Sequence, residues 1–551
     1  MRKRRYAARA MAAVLAGTMI LSGCGGQTGA SGKETGASEA DQAAAGEAAG
    51  GTADGAAGNG TEGENPDQAQ DAADGQDEIE KPEKITFMID GTLVTKPNGQ
   101  EEWVERWEEL TGVELEIIQP DHTAYYDVLG QTIASGPDNW PDVLITTSQY
   151  YTNYAKEGVL WDMTEAWENS EVKKSGRIVN ENVVNSLYID DHLYGLATGP
   201  GSGCVTYIKK KWLDNVGLDV PTNYEEYLAV LDAFTHGDPD GNGVDGDTYG
   251  VSAAGFINPE APYVQYLPEF WQDAYPTFYQ KEDGTWVDGF TEDSMKAAIE
   301  RLKAAYEAGY IEKETLTNAT SDCRTKFFED KFGVFTYWPG SWNKRLKEGL
   351  EANGHDGELI VMEPIAEVGA YIDRTPVALC ITSACDNPEG VFKYFFETAL
   401  DGGEVQQLWT YGVEGVHWST AAEEVCGVSY EEGQFHMLES RESPGTQYTK
   451  AFFAGDNPLA RFEEGKDIGE GSFDPLMLES NALFNANSRP AQLPVSTEEM
   501  AQYNGDLTTL KYSIIADCVT QGISVEDGMK RFEEEGGAEW SQLILDSLNA
   551  S

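Results

Sequence analysis

The chain has 551 residues, a formal net charge of −57 at pH 7 and a pI near 4.2. This length exceeds that of one ordinary domain several times, so we expect at least two folded lobes. The negative field repels nucleic-acid phosphates and anionic lipid headgroups, which argues against both as partners. Aromatic residues make up 11% of the chain, with 13 Trp and 26 Tyr, so a large core can form and some rings remain for recognition.

The first 24 residues have the pattern of a bacterial export signal. Four basic residues at 2–5 precede an apolar run over about 10–20, and Leu-Ser-Gly at 21–23 precedes Cys24. The apolar run is shorter than the roughly 20 residues that a membrane-spanning helix needs. Small residues followed by Cys resemble the lipobox of bacterial lipoproteins. This resemblance implies that residues 1–23 are a signal peptide and that Cys24 becomes a lipid-carrying N-terminus outside the cytoplasmic membrane.

Residues 24–84 are predicted to form a disordered tether. The segment consists mainly of Gly, Ala, Asp, Glu and Gln, and Ile79 is its only large aliphatic residue. Such a segment buries too little apolar surface to offset chain entropy, and its like charges repel one another. We expect it to hold the folded body away from the membrane.

The folded part begins with a β-α-β pattern. Strand-like residues 85–89 are followed by an amphipathic segment over 101–111, and residues 113–117 alternate as a second strand should. A third strand is predicted over 141–145. Ligands of open α/β sheets bind beyond the carboxyl ends of the strands. The candidate ligand residues at those ends are Asp90 after the first strand and Thr146, Gln149 and Tyr150 after the third.

A hairpin and a glycine-rich loop come next. Residues 188–196 are predicted to form a tight hairpin, and the loop 198–203, with Ser202 as a candidate ligand residue, leads to a strand over 205–208. Thr222 and Glu225 form a capping-box pattern, which predicts a helix reaching about Thr235.

The acidic turn over 238–247 follows the order of an EF-hand calcium loop. Asp238, Asp240, Asn242 and the Val244 carbonyl stand at positions one, three, five and seven, and Gly243 stands at six. Position twelve is Tyr249 rather than Glu, so Asp247, or less favourably Asp245, must close the site. We expect a structural Ca²⁺ here. The alternative is a solvated Asp/Gly turn after the helix.

The order of several motifs resembles the extracellular solute-binding proteins of family 1. These proteins are the capture subunits of ABC importers, mostly for sugars. The motifs are Pro-Asp-Val-Leu-Ile at 141–145, Asp-His-Leu-Tyr-Gly-Leu at 191–196, the run from Lys-Lys-Trp to Glu-Glu-Tyr at 210–227, and segments at 297–303, 309–311, 332–335, 411–418, 512–522 and 524–535. The likeness covers nearly the whole chain after the tether. The motif at 411–418 resembles a large-bodied subgroup with oligosaccharide-binding members.

The resemblance implies a type II periplasmic-binding-protein-like α/β fold, in which two lobes are joined by hinge segments. Lobe 1 would comprise 85–203 and 379–418, and lobe 2 would comprise 204–378 and 419–551, with crossings near 203–207, near 374–378 and after Trp418. It further implies a monomer on the outer face of the membrane, which captures a carbohydrate without bond breaking and delivers it to ABC permease subunits. Related binders also carry a similar Asp-Asn loop with bound calcium.

Aromatic residues at 337–342 are the strongest candidates for sugar recognition. Sugars present flat apolar faces edged by hydroxyls, so a binder needs aromatic platforms and polar groups. Tyr337, Trp338 and Trp342 supply the rings, and by resemblance Trp342 falls where related binders place an aromatic residue. Trp338 packing within the second lobe is an equal alternative. Trp418 is a further candidate, although a hinge or packing role suits the motif of Glu414, His417 and Trp418 at least as well.

Other chemistry finds little support in the sequence. Six further cysteines permit disulfides or buried thiols without fixing either: Cys204, Cys323, Cys380, Cys385, Cys426 and Cys518. Residues 241–246 match G-x-G-x-x-G, but no strand precedes them and no helix opens from them. The rival functions are a surface glycoside hydrolase or lyase with paired carboxylates, and an adhesive surface protein. The sequence singles out no such carboxylate pair.

Overall fold

The computed structural model describes residues 79–550, with gaps at 92, 202, 258–265, 375, 449–452, 493 and 495–496. The predicted signal peptide, Cys24 and most of the tether lie outside the described residues, as do Ser202 and the side chain of Gln149. The folded part begins earlier than predicted. The first strand includes Lys84, and Asn387 Nδ2 donates a hydrogen bond to the Glu80 carbonyl (2.9 Å).

The described residues form short strands and mostly short helices. The strands are β1 Lys84–Met88, β2 Glu114–Ile118, β3 Val143–Thr146, β4 Tyr188–Ile189, β5 His192–Leu193, β6 Leu196–Ala197, β7 Val205–Lys209, β8 Tyr249–Val251, β9 Phe278–Gln280, β10 Trp286–Asp288, β11 Phe332–Tyr337, β12 Leu359–Met362, β13 Tyr371–Asp373, β14 Ala378–Ile381, β15 Trp418–Ser419, β16 Glu423–Val425, β17 Val428–Tyr430, β18 His436–Met437 and β19 Ser488–Pro490. The helices are α1 Gln100–Thr111, α2 Tyr125–Ala134, α3 Ser148–Lys156, α4 Thr164–Asn169, α5 Glu171–Ser175, α6 Glu181–Asn185, α7 Lys210–Val216, α8 Tyr224–His236, α9 Pro268–Trp271, α10 Asp293–Glu307, α11 Thr320–Phe328, α12 Ser341–Ala352, α13 Pro388–Val391, α14 Glu404–Tyr411, α15 Pro475–Ala486, α16 Glu498–Thr520, α17 Val525–Glu534 and α18 Gly537–Leu548.

The first lobe is built on a five-stranded sheet in the order β2-β1-β3-β14-β6. β1 pairs in parallel with β2 and β3, whereas β14 runs antiparallel to β3 and β6. All four residues of β3 are buried, as expected for an inner strand of a sheet that is covered on both faces. Trp103 and Trp107 lie one helical turn apart on the buried face of α1 and pack into this core.

The second lobe is built on a four-stranded sheet in the order β12-β7-β11-β8. β7 runs antiparallel to β11 and β12, and β8 runs parallel to β11. β11 is buried at all six positions, and its core includes buried residues of α10, α16, α17 and α18. Within the described ranges, no helix is long and apolar enough to cross a membrane.

Helix α8 begins one residue later than its capping pattern predicts. The side chain of Asn223, not Thr222, accepts the hydrogen bond from the Glu226 N–H (3.0 Å). Glu226 Oε2 in turn accepts from the backbone N–H and hydroxyl of Thr222 (2.9 and 2.8 Å). The capping interaction therefore uses Asn223 and Glu226, each one position after the predicted Thr222 and Glu225. Glu225 takes no part in it.

Three segments connect the two cores. The first lies between Ala197 of the first core and Cys204 of the second, and the second lies between Ile372 and Ala378. The third crossing was predicted directly after Trp418, and this prediction is wrong. Leu459 and Ala460 still belong to the first core, whereas Phe484 belongs to the second.

The segment after Trp418 stays with the first lobe because its aromatic residues pack there. Tyr411 stacks on Phe462 and Phe473, with ring centroids 6.0 and 6.4 Å apart, and its hydroxyl donates to Asp467 (2.7 Å). The crossing therefore lies close to the start of α15. Residues 419 to about 473 are reassigned from the predicted second lobe to the first.

The crossing segments pack closely against one another. A Cβ atom on Gly203 would lie 2.3 Å from the Ile372 carbonyl oxygen and 2.7 Å from the ring of Phe484. Tyr371 of β13 also pairs with Ser488 of β19, in a parallel two-stranded sheet. Only glycine fits at position 203, because side-chain atoms would occupy the space of the neighbouring crossings.

The cysteines of the described part do not act as a disulfide framework. Cys323, Cys380 and Cys518 are buried free thiols, and Cys385 and Cys426 are free thiols nearer the surface. Cys204 is buried beside the first crossing.

Candidate functional site

The carboxyl ends of the central strands in both sheets border the crossing segments. Thr146, the last residue of β3, pairs with Ala378, the first residue after the second crossing. In the second lobe Tyr337, the last residue of β11, pairs with Val205, directly after the first crossing. We call these two borders the hinge edges of the lobes. A ligand bound between the lobes would contact side chains at both.

Asp90 lies at the first hinge edge, where it is joined by a histidine. The Asp90 side chain is only 7% exposed, and its Oδ2 lies 2.5 Å from Nδ1 of the exposed His122. Gln119 Nε2 donates to the Asp90 carbonyl (2.9 Å). The Asp90 carboxylate therefore holds the His122 ring in place, and His122 is the solvent-exposed member of the pair.

Two tyrosines form a stacked pair at the same edge. Tyr150 is 40% exposed and stacks on Tyr126, with centroids 4.6 Å apart and 16° between the ring planes. The Tyr126 hydroxyl lies 3.1 Å from Thr147 Oγ1, and burial raises the pKa of Tyr126. Tyr150 thus offers an exposed ring held in place by its neighbour. Thr146 is fully buried, and its hydroxyl has no hydrogen-bond partner among the described residues.

Tyr337 and Trp338, at the second hinge edge, are mainly packing residues. Tyr337 is 2% exposed and stacks on Phe335 at 4.8 Å. Trp338 is 6% exposed, and the guanidinium of Arg374, from the second crossing, lies 4.4 Å from its ring centroid. Trp338 Nε1 is buried without a hydrogen-bond partner among the described residues. The alternative in which Trp338 packs within its lobe accounts for most of its surface.

Trp342 is half-buried and surrounded by cations. Its ring makes an edge contact with Tyr337, with 5.1 Å between centroids and 85° between planes. The guanidinium groups of Arg324 and Arg345 each lie 4.9 Å from the indole centroid. Much of the indole face is therefore covered by guanidinium groups rather than open for a sugar.

The loop after Trp338 lies where the two lobes touch. The Gly340 N–H donates to Ser480 Oγ (2.8 Å), and Asn481 Nδ2 donates to Oδ2 of Asp456 (3.2 Å). Asp456 follows Phe453 of the first core, whereas Gly340 belongs to the second lobe. This loop therefore lies at a contact between the two lobes.

The residues around Trp418 have packing roles. Trp418 Nε1 donates to the Gly412 carbonyl (3.0 Å), and its ring lies 5.6 Å from that of Phe435. His417 Nδ1 accepts from the Val413 N–H, so its proton sits on Nε2, which donates to the Asn98 carbonyl (both 2.7 Å). Burial lowers the pKa of His417 to about 4, so the ring is neutral and fixed.

Three carboxylates of the acidic loop after α8 accept hydrogen bonds from within the loop. Asn242 Nδ2 donates to Asp240 Oδ2 (2.8 Å) and Asp247 Oδ2 (2.9 Å), and the Gly243 N–H donates to Asp238 Oδ2 (3.0 Å). Burial, with the carboxylates of Asp238 and Asp247 nearby, raises the pKa of Asp240.

Two observations bear on metal binding by this loop. Asp238 Oδ1 is buried and has no hydrogen-bond partner among the described residues. Among the described residues, no three His, Cys, Asp or Glu side chains are grouped as metal ligands. The donor types suit Ca²⁺, but the loop as it stands is held together by its own hydrogen bonds.

A family model described as "Bacterial extracellular solute-binding protein" matches residues 95–395, more than half of the chain. The chain belongs to this family. The recognition made from the motifs is therefore confirmed.

Two curated relatives match most of the chain at low identity. Lipoprotein LipO of Bacillus subtilis is 26% identical over 474 residues, which are 82% of this chain and 88% of LipO. The polygalacturonan/rhamnogalacturonan-binding protein YtcQ of the same organism is 24% identical over 365 residues, 64% of this chain and 70% of YtcQ.

Solved structures confirm the fold of this solute-binding protein. A solute-binding protein from Alicyclobacillus acidocaldarius matches with a TM-score of 0.56 and 13% identity, over 84% of this chain and 100% of that chain. The "HMO binding" protein from Bifidobacterium longum infantis matches with a TM-score of 0.55 and 16% identity, over 85% and 98%. The predicted type II α/β fold is confirmed.

Four hinge-edge residues were missed from the sequence. His122 and Tyr126 follow β2 as Asp90 follows β1, so the strand-end rule could have found them. Arg324 and Arg345 carried no such signal, because α11 and α12 bring them to Trp342 only in the folded lobe.

Proposed function

We propose that this solute-binding protein is the lipid-anchored capture subunit of an ABC importer and that its ligand is a carbohydrate of oligosaccharide size. The observation that carries the proposal is the exposed Tyr150 ring at the first hinge edge, which is held in place by stacking on Tyr126. Aromatic rings combined with a few oriented polar groups are what a sugar site requires.

The names of the relatives support the ligand class. YtcQ is named as binding polygalacturonan and rhamnogalacturonan, and a pneumococcal relative, FusA, is named for fructooligosaccharides. These ligands differ in monomer and in charge but are all carbohydrates. The relatives are also named as binding proteins, which favours capture without bond breaking over the alternative of a surface hydrolase or lyase.

Capture would proceed by closure of the lobes about the three crossings. The apolar face of a sugar ring would lie on Tyr150, and the Asp90–His122 pair would bind hydroxyl groups. Closure would bring the loop at Gly340 onto the other side of the ligand and exclude water. Because no bond is made or broken, opening would release an intact sugar to the permease.

The lipid anchor is Cys24, preceded by Leu-Ser-Gly at 21–23. The name of LipO, a lipoprotein, supports an anchored form of this chain. The anchor would keep the protein at the outer face of the cytoplasmic membrane, within reach of the permease.

A structural Ca²⁺ is proposed for the loop 238–247, with Asp238, Asp240, Asn242, the Val244 carbonyl and Asp247 as its ligands. The buried, unpartnered Oδ1 of Asp238 among the described residues supports this assignment. Bound calcium would supply positive charge between carboxylates that otherwise repel one another. It would join α8 to the chain leading into β8 and would not contact the sugar.

A thermal-shift screen over neutral and acidic oligosaccharides tests the proposed ligand class. A true ligand stabilises the folded protein in proportion to RT ln(1 + [L]/Kd), which is about 2.7 kcal/mol at one hundred times Kd. We expect at least one oligosaccharide to raise the melting temperature in a saturable manner. If amino acids or peptides stabilise the protein and no saccharide does, the proposed ligand class is wrong.

A further inference from the structure

Arginine side chains gather around the aromatic residues of the second hinge edge. Arg324 of α11 and Arg345 of α12 each lie 4.9 Å from the Trp342 centroid, and Arg374 lies 4.4 Å from the Trp338 centroid. Guanidinium groups stack favourably on indole faces, which fixes their position without neutralising their charge. The rings of Trp338 and Trp342 therefore position three guanidinium groups.

Two of these arginines have no acidic partner among the described residues, although acids dominate the chain. The sequence has 95 Asp and Glu against 38 Lys and Arg. Within the described ranges, however, neither Arg324 nor Arg345 has a carboxylate oxygen within 4.0 Å. Two guanidinium groups held beside one ring repel each other unless an anion lies between them or close by. Because Arg324 and Arg345 have no carboxylate partner among the described residues, an external carboxylate could bind between them.

Among the described residues, Arg324 uses one of its N–H donors, and Arg345 makes no side-chain hydrogen bond. Arg324 Nη1 donates to the Tyr337 hydroxyl (2.5 Å), which orients the group at the end of β11. A guanidinium has five N–H donors in a fork that matches a carboxylate. Arg345 is exposed, one turn into α12.

The N-terminus of α12 adds positive potential beside these arginines. Helix α12 begins at Ser341 after Gly340, which has no side chain to cap it, so its positive end lies beside Trp342. Two acidic groups near these edges have partners of their own. Asp90 of the first lobe contacts His122, and Asp456 accepts the Asn481 amide.

We propose that the ligand is an acidic oligosaccharide and that Arg324 and Arg345, held by Trp342, bind a carboxylate of a uronic-acid unit. This inference rests on the proposed carbohydrate-binding function and adds the charge of the ligand. It also changes the role of Trp342, which positions two guanidinium groups, while Tyr150 takes the apolar face of the sugar.

Isothermal titration of the full chain with matched saccharides tests the inference. The probes are trisaccharides containing galacturonate, glucuronate or mannuronate, each compared with its carboxyl-reduced form, which keeps length and linkage but loses the charge. We expect an acidic trisaccharide to bind at least about 10-fold more tightly than its reduced form, as is usual for hydrogen bonds to a charged group.

Variants of Arg324 and Arg345 test whether these two residues bind the carboxylate of the saccharide. Arg324→Gln and Arg345→Gln should each weaken binding of the acidic trisaccharide by about 10-fold or more while leaving binding of the reduced form within about 2-fold. Arg106→Gln is the control, because Arg106 is an exposed residue of α1 paired with Glu109 and Glu404. Arg345 is exposed, so its variant is expected to fold even if the Arg324 variant does not.

The possible results separate this inference from the proposed function. Equal binding of acidic and reduced trisaccharides, or unchanged affinity in both hinge-edge variants, would overturn the acidic ligand but leave carbohydrate binding intact. Failure of every acidic and neutral saccharide to bind would overturn both.

Discussion

Glu269 is a carboxyl group enclosed in the second lobe, and its replacement by Gln should stabilise the protein increasingly as pH rises from 4.5, with the full effect above pH 7. The residue is 1% exposed, and its Oε1 accepts a hydrogen bond from Thr206 Oγ1 (2.7 Å). Its Oε2 has no hydrogen-bond partner among the described residues. Burial therefore raises the pKa of Glu269 to about 7 from its usual value of 4.5.

The direction of the effect follows from the protons bound in each state. Below pH 4.5 the carboxyl is protonated in the folded and the unfolded chain. Between pH 4.5 and 7 only the unfolded chain loses the proton, so folding stability falls as pH rises. A pKa difference of about 2.5 corresponds to about 3 kcal/mol, the full loss being reached above pH 7. Gln stays neutral throughout and avoids this loss.

Urea unfolding at pH 4.5 and pH 8 measures the effect. We expect the free energy of unfolding of Glu269→Gln, relative to the native chain, to rise by about 3 kcal/mol between these two pH values. Glu282→Gln, at an exposed position of the same lobe, is the control and should show no comparable change. A difference between Glu269→Gln and the native chain that does not vary with pH would refute the argument that burial keeps Glu269 protonated.

Three further predictions concern the site, the metal loop and the anchor. Trp342→Ala should weaken ligand binding by about 2 kcal/mol or more, roughly 30-fold, because it removes a ring and frees two arginines. Trp286→Ala, which removes a half-buried indole elsewhere in the second lobe, should leave affinity unchanged; equal affinity in both variants would count against the site. A chelator should lower the melting temperature of the native protein but not of an Asp238→Ala, Asp240→Ala variant. If elemental analysis detects no calcium in the purified protein and the chelator has no effect, the metal site is excluded. Cys24→Ser should move the protein from the membrane to the soluble fraction; continued membrane association would place the anchor elsewhere.

Local patterns were sufficient to predict the first sheet. Strands predicted over 85–89, 113–117 and 141–145 correspond to β1, β2 and β3 within one or two residues. Apolar alternation and the flanking helices are properties of contiguous sequence, so they can be recognised without the rest of the fold. The family resemblance, carried by the order of the motifs, supplied the two-lobed arrangement.

The course of the chain after Trp418 was not predictable in the same way. Its strands β15 to β18 are two or three residues long, too short for a clear period. It is held to the first lobe by long-range aromatic contacts, such as Tyr411 with Phe462 and Phe473. The spacing of residues along the sequence does not predict such long-range contacts.

The sequence predicted candidate site residues but not their burial or their neighbours. Strand ends led to Asp90, Tyr150 and the aromatic loop, yet the sequence could not tell that Thr146 and Tyr337 are buried. Burial depends on which elements cover a residue from elsewhere in the chain. For the same reason, the sequence did not predict that Arg324 and Arg345 lie beside the Trp342 ring.

Equilibrium dialysis against an oligosaccharide found by the thermal-shift screen, followed by mass spectrometry of the recovered sugar, tests the central claim most directly. The account predicts saturable binding of one sugar per chain and recovery of that sugar at its original mass after long incubation. Recovery of shorter or unsaturated products, or the absence of saturable binding, would contradict a protein that captures a carbohydrate and releases it intact.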